Sequence, residues 1–226
     1  TSRSGSADVL EALGARIDLT PEQVGACIDE TGFGFMFAPS HHAATRFVVP
    51  VRKELAVRTV FNVLGPLTNP AGARRQIVGV ADRSQVGMMA GALAELGCDH
   101  ALVVSSADGL DEMSTAAVTS VAEVSGGEVR RYEVGAADVG LPVADDSLPP
   151  GGSPQENAEV TRAILAGEPG PEADTALLNA GAALYVGGHA GTLAAGVTAA
   201  RDAIAGGAAQ DALERYVAAT QRLAAA

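Results

Sequence analysis

Apolar positions recur along this chain with two periods, one that suits helices and one that suits buried strands. Ser6 to Leu13 is rich in Ala, Leu and Glu and stops at Gly14, which predicts a short helix. Thr20-Pro21-Glu22-Gln23 is a sharper start signal, with Thr20 as N-cap, Pro21 at the first helical position and Gln23 placed to close a capping box. A helix is therefore predicted from about Pro21 to Thr31, ended by Gly32. The apolar run Phe33-Gly34-Phe35-Met36-Phe37-Ala38 suits a short buried strand. Beyond Pro39, His41 to Glu54 reads as mostly helical, bent or interrupted at Pro50, which lacks a donor and crowds the preceding turn.

Gln76 to Ala81 and Ala101 to Ser105 read as buried strands, joined by a helix over Ser84 to Leu96 that Ser84 caps and Gly97 ends. Strand, helix, strand predicts a right-handed parallel crossover. Val118 to Val124 and Glu128 to Val134 flank Ser125-Gly126-Gly127 as a hairpin would, so the sheet is mixed. Asp138 to Pro154, rich in Gly, Pro and Asp, is a long polar connection. Four helices follow, over roughly Gln155 to Ala166, Ala173 to Gly187, Thr192 to Ala205 and Ala208 to Ala225. No repeat period unites them, so they are expected to cover the sheet and each other. The pattern predicts one α/β domain over residues 1–226.

Composition narrows the partners. With 226 residues, 47% hydrophobic and 19% charged, the chain has a globular balance, and its 27 glycines with abundant Ala suit close packing of helices and backbone. A net charge of -12 with no Lys/Arg run opposes nucleic acid and anionic membranes. A small anionic substrate stays open, because a few local cations or one bound metal ion reverse the field inside a cleft. Cys27 and Cys98 are too few for a disulfide framework and lack metal-ligand spacing, which fits a reducing cytosol. No apolar run approaches transmembrane length and Thr1-Ser2-Arg3-Ser4-Gly5 has no signal-peptide pattern, so a cytoplasmic location is expected. The absence of an initiator Met suggests a processed, cloned or fragmentary chain.

Several segments carry candidate chemistry. Arg58 to Pro70 joins an apolar, strand-like run to Gly65-Pro66-Leu67-Thr68-Asn69-Pro70; read structurally it is a rigid strand-to-loop transition, with Gly65 permitting an unusual backbone angle and Pro66 fixing the next. Asp108-Gly109-Leu110-Asp111-Glu112 follows the strand ending near Ser105. That places adjacent carboxylates at the carboxyl end of a sheet strand, where ligands of open α/β sheets bind. Two such hard oxygen donors would hold Mg²⁺ while leaving positions for substrate phosphates; a solvated acidic turn fits the spacing as well. Arg52 offers a planar guanidinium suited to a carboxylate, although most arginines sit in water. His41-His42 offers metal or acid-base chemistry, but adjacent side chains usually diverge from a helix.

Together, in order and spacing, these segments resemble anthranilate phosphoribosyltransferases across nearly the whole chain. The resemblance rests on Ser4 through Gly14, on Phe37-Ala38-Pro39 followed by His42, on Val51-Arg52 through Asn69-Pro70 with its Leu-Gly-Pro-Leu-Thr-Asn-Pro stretch, and on Asp108 through Glu112. Gly151-Gly152, Asn157-Ala158 and Leu178-Asn179-Ala180 also stand in family-like positions. The implied fold is the phosphoribosyltransferase and nucleoside-phosphorylase type, a mixed, mainly parallel sheet surrounded by helices. In the family it normally follows a small helical domain that helps form a homodimer.

The implied reaction moves the phosphoribosyl group of phosphoribosyl pyrophosphate (PRPP) to anthranilate in tryptophan biosynthesis. Ser6 matches a PRPP-binding serine, Thr1 and Ser2 match the end of the phosphate-wrapping loop, and Arg52 matches the arginine that contacts anthranilate. His42 and the backbone at Gly65-Pro66 line the anthranilate route and pocket, and Asp111 with Glu112 match the Mg²⁺ pair. No covalent nucleophile is implied. Ala43 and Ala56 stand where the family often has Pro and Gly, and neither change removes a reacting group. The family's Gly-Thr-Gly-Gly-Asp turn, its Lys-His-Gly-Asn segment and its helical domain would precede Thr1. Residues 1–226 alone are therefore expected to fold at least partly, to lack useful activity, and to be monomeric or prone to aggregate. The rivals are a pyrimidine-nucleoside phosphorylase relative and a truncated metal-binding or interaction module.

Overall fold

The computed structural model describes residues 4–41, 64–146, 148 and 151–225. In chain order its elements are α1 (Ser6–Ala12), α2 (Pro21–Thr31), α3 (Ala38–His41), β1 (Arg75–Gly79), α4 (Val86–Glu95), β2 (His100–Ser106), β3 (Thr119–Ser125), β4 (Glu128–Val134), α5 (Pro154–Leu165), α6 (Pro171–Gly187), α7 (Leu193–Ala205) and α8 (Ala208–Ala224). The described residues fall into two compact units. One is drawn from Thr1–Arg58, Pro149–Glu168 and Ile204–Ala226, the other from Thr59–Leu148 and Pro169–Ala203. Of the late helices, α5 and α8 thus belong to the first unit and α6 with most of α7 to the second.

The first unit is helical. α2 starts as its sequence requires: the Gln23 amide N–H donates to Thr20 Oγ1 (3.3 Å) while the Thr20 N–H donates to Gln23 Oε1 (2.9 Å), satisfying two donors that would otherwise lack partners. Ala15, Leu19, Val24, Cys27, Tyr216 and Ala219 form the buried cluster of this unit. The strand expected over Phe33 to Ala38 is not present; residues 33–37 belong to no helix or strand, and a helical turn follows. Packing explains the difference. Phe33 meets Tyr216 edge-on with ring centroids 4.7 Å apart, and Phe35 and Met36 pack on the same cluster, so helices rather than a neighbouring strand take up the apolar run. The helix expected over His41 to Glu54 and the strand-like run from Arg58 lie outside the described residues beyond His41 and before Leu64.

The second unit holds a four-stranded sheet of order β1-β2-β3-β4. β1 and β2 are parallel, with Arg75 opposite His100 and Gly79 opposite Val104, and α4 connects them as the sequence predicts. β2 with β3 and β3 with β4 are antiparallel. The sheet is mixed as expected, but among the described strands parallel pairing is the minority. The reason is local: Ser125 pairs with Glu128 around Gly126-Gly127, both left-handed with φ of 57° and 84°, the geometry a two-residue hairpin turn needs. Val78, Val80, Ala101, Val103, Ala122 and Val124 share one face and pack against Val86, Met89, Ala90 and Leu93 of α4. α4 begins at Val86 without a side-chain cap, not at Ser84 as expected, and Asp82 instead caps the turn that leads into it. Its Oδ1 accepts from the Ser84 N–H (3.0 Å) and from Ser84 Oγ (2.6 Å), and a short 3₁₀ turn, Arg83–Gln85, precedes the helix.

Alternation puts Leu102, Val104 and Val121 on the opposite face, where α6 lies against β1 and β2. α6 and α7 approach until their backbones touch. A Cβ on Gly181 would lie 2.5 Å from the Val197 amide nitrogen, and one on Gly196 would lie 2.1 Å from the Gly181 carbonyl oxygen. The abundant small residues therefore serve close helix packing, as the composition predicts. No helix among the described residues is long and apolar enough to cross a membrane. Because backbone blocks the added methyl group, Gly196→Ala should destabilise the fold by about 1–3 kcal/mol, the usual cost of overpacking. Chemical denaturation checks this, and an unchanged midpoint would contradict the packing described.

Candidate functional site

The acidic segment lies where the pattern placed it, directly after β2. There the chain turns back through residues 107–118 before entering β3. The Ser106 N–H donates to Leu110 O (3.0 Å) and the Ala107 N–H to Val118 O (3.0 Å), closing the base of the loop, while Gly109 turns it with φ of 91°. Inside the loop, Ser114 Oγ donates to Asp108 Oδ2 (2.7 Å) and the Ser114 N–H to Thr119 Oγ1 (3.2 Å).

Two further contacts bracket the carboxylates. Val78 and Val80 turn toward α4, so Gly79 faces the other side of the sheet, where the Asp111 carbonyl oxygen lies 1.5 Å from where a Cβ would stand. On α6, Asn179 Oδ1 accepts from the Met113 N–H (3.0 Å) and Nδ2 donates to Met113 O (2.9 Å). One turn earlier on the same helix, the Thr175 hydroxyl lies 3.0 Å from that of Thr115.

The outcome is a sharp change of environment. Asp111 and Glu112 are exposed, whereas Met113, Ser114 and Thr115 are buried. Among the described residues neither carboxylate joins an ion pair, and no three His, Cys, Asp or Glu side chains gather at one point. Two adjacent exposed carboxylates are hard oxygen donors and suit a hard cation such as Mg²⁺, which keeps waters and takes substrate phosphates for the rest of its shell.

The other described candidates belong to both units. Ser6 opens α1 in the first unit and is exposed, behind the N-cap Gly5, whose N–H donates to Asp8 Oδ2 (2.7 Å). Its neighbour Ser4 is buried: its hydroxyl donates to Gly152 O (3.2 Å) and accepts from Asn157 Nδ2 (2.8 Å), while Asn157 Oδ1 accepts from the Gly152 N–H (2.9 Å). The Gly151-Gly152 and Asn157 positions therefore tie down the approach to Ser6. In the second unit Gly65–Leu67 form a 3₁₀ turn, with Gly65 exposed and Pro66 half-buried. Thr68 Oγ1 donates to the carbonyls of Leu64 and Gly65 at 3.1 Å each. Gly65 is not among the positive-φ glycines and Leu64 is right-handed helical, so the unusual backbone angle expected there is not found; the turn is ordinary and Pro66 fits its first positions. Thr1, Ser2, His42 and Arg52 lie outside the described residues.

Sequence reasoning missed the role of Asn179 as the anchor of the acidic loop and missed Gly79 beneath it. The available signal was the pair Thr175 and Asn179, two polar residues four apart that flank the apolar run Ala176-Leu177-Leu178 of α6. It also missed Glu123, a carboxylate only 4% exposed on β3. Tyr185 OH donates to its Oε1 (2.6 Å), His100 Nε2 lies 2.9 Å from the same oxygen, and Arg130 Nη2 donates to Oε2 (2.9 Å). Burial pushes the carboxyl upward, but hydrogen bonds from Tyr185, Arg130, His100 and Tyr132 together outweigh it and hold the group at about 2. Burial, and then the bond to Glu123, pushes Tyr185 up to about 12. Glu123 pairs with Leu102 near the start of β2, the end opposite the acidic loop, so this cluster fastens α6 to the sheet.

Residues 1–210 match the glycosyl transferase family, a/b domain, and the chain belongs to that family. Its curated relatives include the anthranilate phosphoribosyltransferase of Rubrobacter xylanophilus, 55% identical over 226 residues that cover 99% of this chain and 66% of that protein. That of Methylobacillus flagellatus is 50% identical over 221 residues, covering 98% of this chain and 65% of the relative. The chain thus spans about two-thirds of their length, 65–66%. The anthranilate phosphoribosyltransferase of Thermus thermophilus superposes with a TM-score of 0.87 at 46% identity, covering 97% of this chain and 65% of that one. The Saccharomyces cerevisiae enzyme in complex with PRPP and Mg gives 0.86 at 26% identity, covering 96% and 63%.

Glu123 yields a pH prediction. Its carboxyl lies below its ordinary 4.5 in the folded chain, so its stabilising contribution is complete above that value and is lost as pH falls toward about 2. Glu123→Gln should lower the melting temperature at pH 7, and the gap to the unsubstituted protein should narrow as the pH is lowered through that window. Thermal denaturation across pH 2–6 checks it; a gap independent of pH would contradict the assigned ionisation.

Proposed function

We propose that the protein carrying this chain transfers the phosphoribosyl group of PRPP to the amino group of anthranilate, releasing pyrophosphate and forming N-(5-phosphoribosyl)anthranilate in tryptophan biosynthesis. The observation that carries this reading is the exposed Asp111-Glu112 couple, without an ion-pair partner among the described residues, set at the carboxyl end of β2 and anchored on either side. Similarity to proteins named anthranilate phosphoribosyltransferase, one of them complexed with PRPP and Mg, supports the same substrates and cation here. A cytoplasmic, homodimeric enzyme belongs to the same reading.

In this mechanism the bond between the ribose carbon and pyrophosphate stretches, the carbon becomes cation-like and the leaving oxygens gain negative charge. Asp111 and Glu112 would hold Mg²⁺, which supplies electrostatic stabilisation to those oxygens. The Ser6 hydroxyl donates a hydrogen bond to PRPP, and Thr1 and Ser2 close the phosphate-binding loop. Arg52 takes the anthranilate carboxylate through two charge-assisted hydrogen bonds, orienting the weakly basic amine toward the ribose carbon. His42 and the backbone at Gly65-Pro66 line the route by which anthranilate arrives. The amine displaces pyrophosphate directly and gives up its extra proton to the departing pyrophosphate or to water, so the chain supplies position and charge rather than a covalent nucleophile.

The test is consumption of anthranilate, followed by loss of its fluorescence, by the full-length protein with PRPP and Mg²⁺. No consumption, with phosphate-dependent cleavage of a pyrimidine nucleoside instead, would establish the phosphorylase reading in its place. Asp111→Asn combined with Glu112→Gln should raise the Mg²⁺ concentration needed for half-maximal rate by at least about tenfold. Arg52→Ala should cost on the order of 1.5–3 kcal/mol in kcat/KM for anthranilate and less for PRPP. Equal losses for both substrates would remove Arg52 from the anthranilate site.

A further inference from the structure

We propose that Asn179 is a positioning residue that sets the geometry of the Asp111-Glu112 pair without touching the metal or the substrate. The inference rests on the reading that this pair holds Mg²⁺. Asn179 presents its carboxamide to the backbone of Met113 as a neighbouring strand would, taking the N–H at 3.0 Å and giving an N–H to the carbonyl at 2.9 Å. A second Nδ2–H donates to Thr175 O (3.0 Å) within α6, and this bond determines which way the amide faces. Met113 is fully buried, so neither of its backbone groups has water as a substitute partner.

Two residues upstream, the Asp111 carbonyl rests against β1 at a position where only glycine leaves room. Asp111, Glu112 and Met113 are therefore held at both ends, and Glu112 lies between the anchors. The Thr115–Thr175 contact repeats the attachment one helical turn along α6. Removing the amide would free the downstream end, leave the Met113 N–H and carbonyl without partners, and let the loop shift until they found some. Carboxylates that share a cation tolerate only small displacements, so affinity for the cation should register the change.

The experiment uses the full-length protein and Mn²⁺ as the probe, with free Mn²⁺ followed by electron paramagnetic resonance in the presence of PRPP. Asn179→Ala should weaken Mn²⁺ binding by about tenfold and raise KM for PRPP while leaving KM for anthranilate nearly unchanged. Asn179→Asp is isosteric and keeps an acceptor for the Met113 N–H, but it sets oxygen against the Met113 and Thr175 carbonyls. It should weaken Mn²⁺ binding in the same direction and covers the case in which the alanine variant does not fold. Glu123→Gln, which loosens α6 at the other end of the sheet, should lower the melting temperature without moving Mn²⁺ affinity.

Mn²⁺ affinity within about twofold of the unsubstituted protein in Asn179→Ala, or in Asn179→Asp if the alanine variant is lost, would overturn the proposal. The metal reading would survive that result provided that Asp111→Asn with Glu112→Gln abolishes binding. Failure of the unsubstituted protein to take up Mn²⁺ with PRPP would overturn the functional reading and this proposal with it.

Discussion

The Asp111 carbonyl lies against the backbone of β1 at Gly79, and the placement of the acidic loop depends on that contact. A side chain at position 79 would occupy the same space as the carbonyl oxygen, so the loop crosses the strand end only because glycine stands there. Once Asp111 is seated, the next residues run into the protein rather than over its surface. Met113, Ser114 and Thr115 are buried and satisfied by Asn179, Thr119 and Thr175. Exposure of Asp111 and Glu112 follows from this arrangement, since they occupy the crest between two fixed points.

Much of the fold was legible because local chemistry and tertiary structure agree. Pro21–Thr31 begins and ends where its capping box and following glycine place it, and Gly126-Gly127 makes the hairpin that its two glycines foretell. The late helices lie within a few residues of their expected bounds. Agreement failed where a tertiary partner decided the outcome. Phe33 to Phe37 has strand composition, but its rings found a helical cluster, and a period-based reading has no means of telling one apolar neighbour from another. Ser84 has the right chemistry for a cap, yet its N–H and hydroxyl both donate to Asp82 two residues earlier, which draws it into the preceding turn. The division of the late helices between two units carries no local signal at all.

The candidate site divides along the same line. The position of Asp111 and Glu112 was legible because adjacent carboxylates after an apolar strand are a compositional signal. Asn179 and Gly79 were not, because their partners are backbone atoms 66 and 32 residues away in the chain, and a backbone atom leaves no mark on a sequence. Glu123 was hidden for the opposite reason. A charged residue in a strand normally faces water, and only the convergence of Tyr185, Arg130 and His100 makes its burial tolerable.

The anchors of the acidic loop have one property in common: hardly any of them carries charge. The Asn179 amide, the Thr119 and Thr175 hydroxyls and a single carboxylate, Asp108, hold residues 113–115, and a bare glycine seats Asp111. Apart from the Asp108 carboxylate, the groups that hold the loop have no charge to lose or screen. On the proposed reading, the two carboxylates it displays take up a cation and release it without loosening what holds them. Rigidity and charge are thus assigned to different atoms, so the loop need not be rebuilt each time its electrostatic state changes.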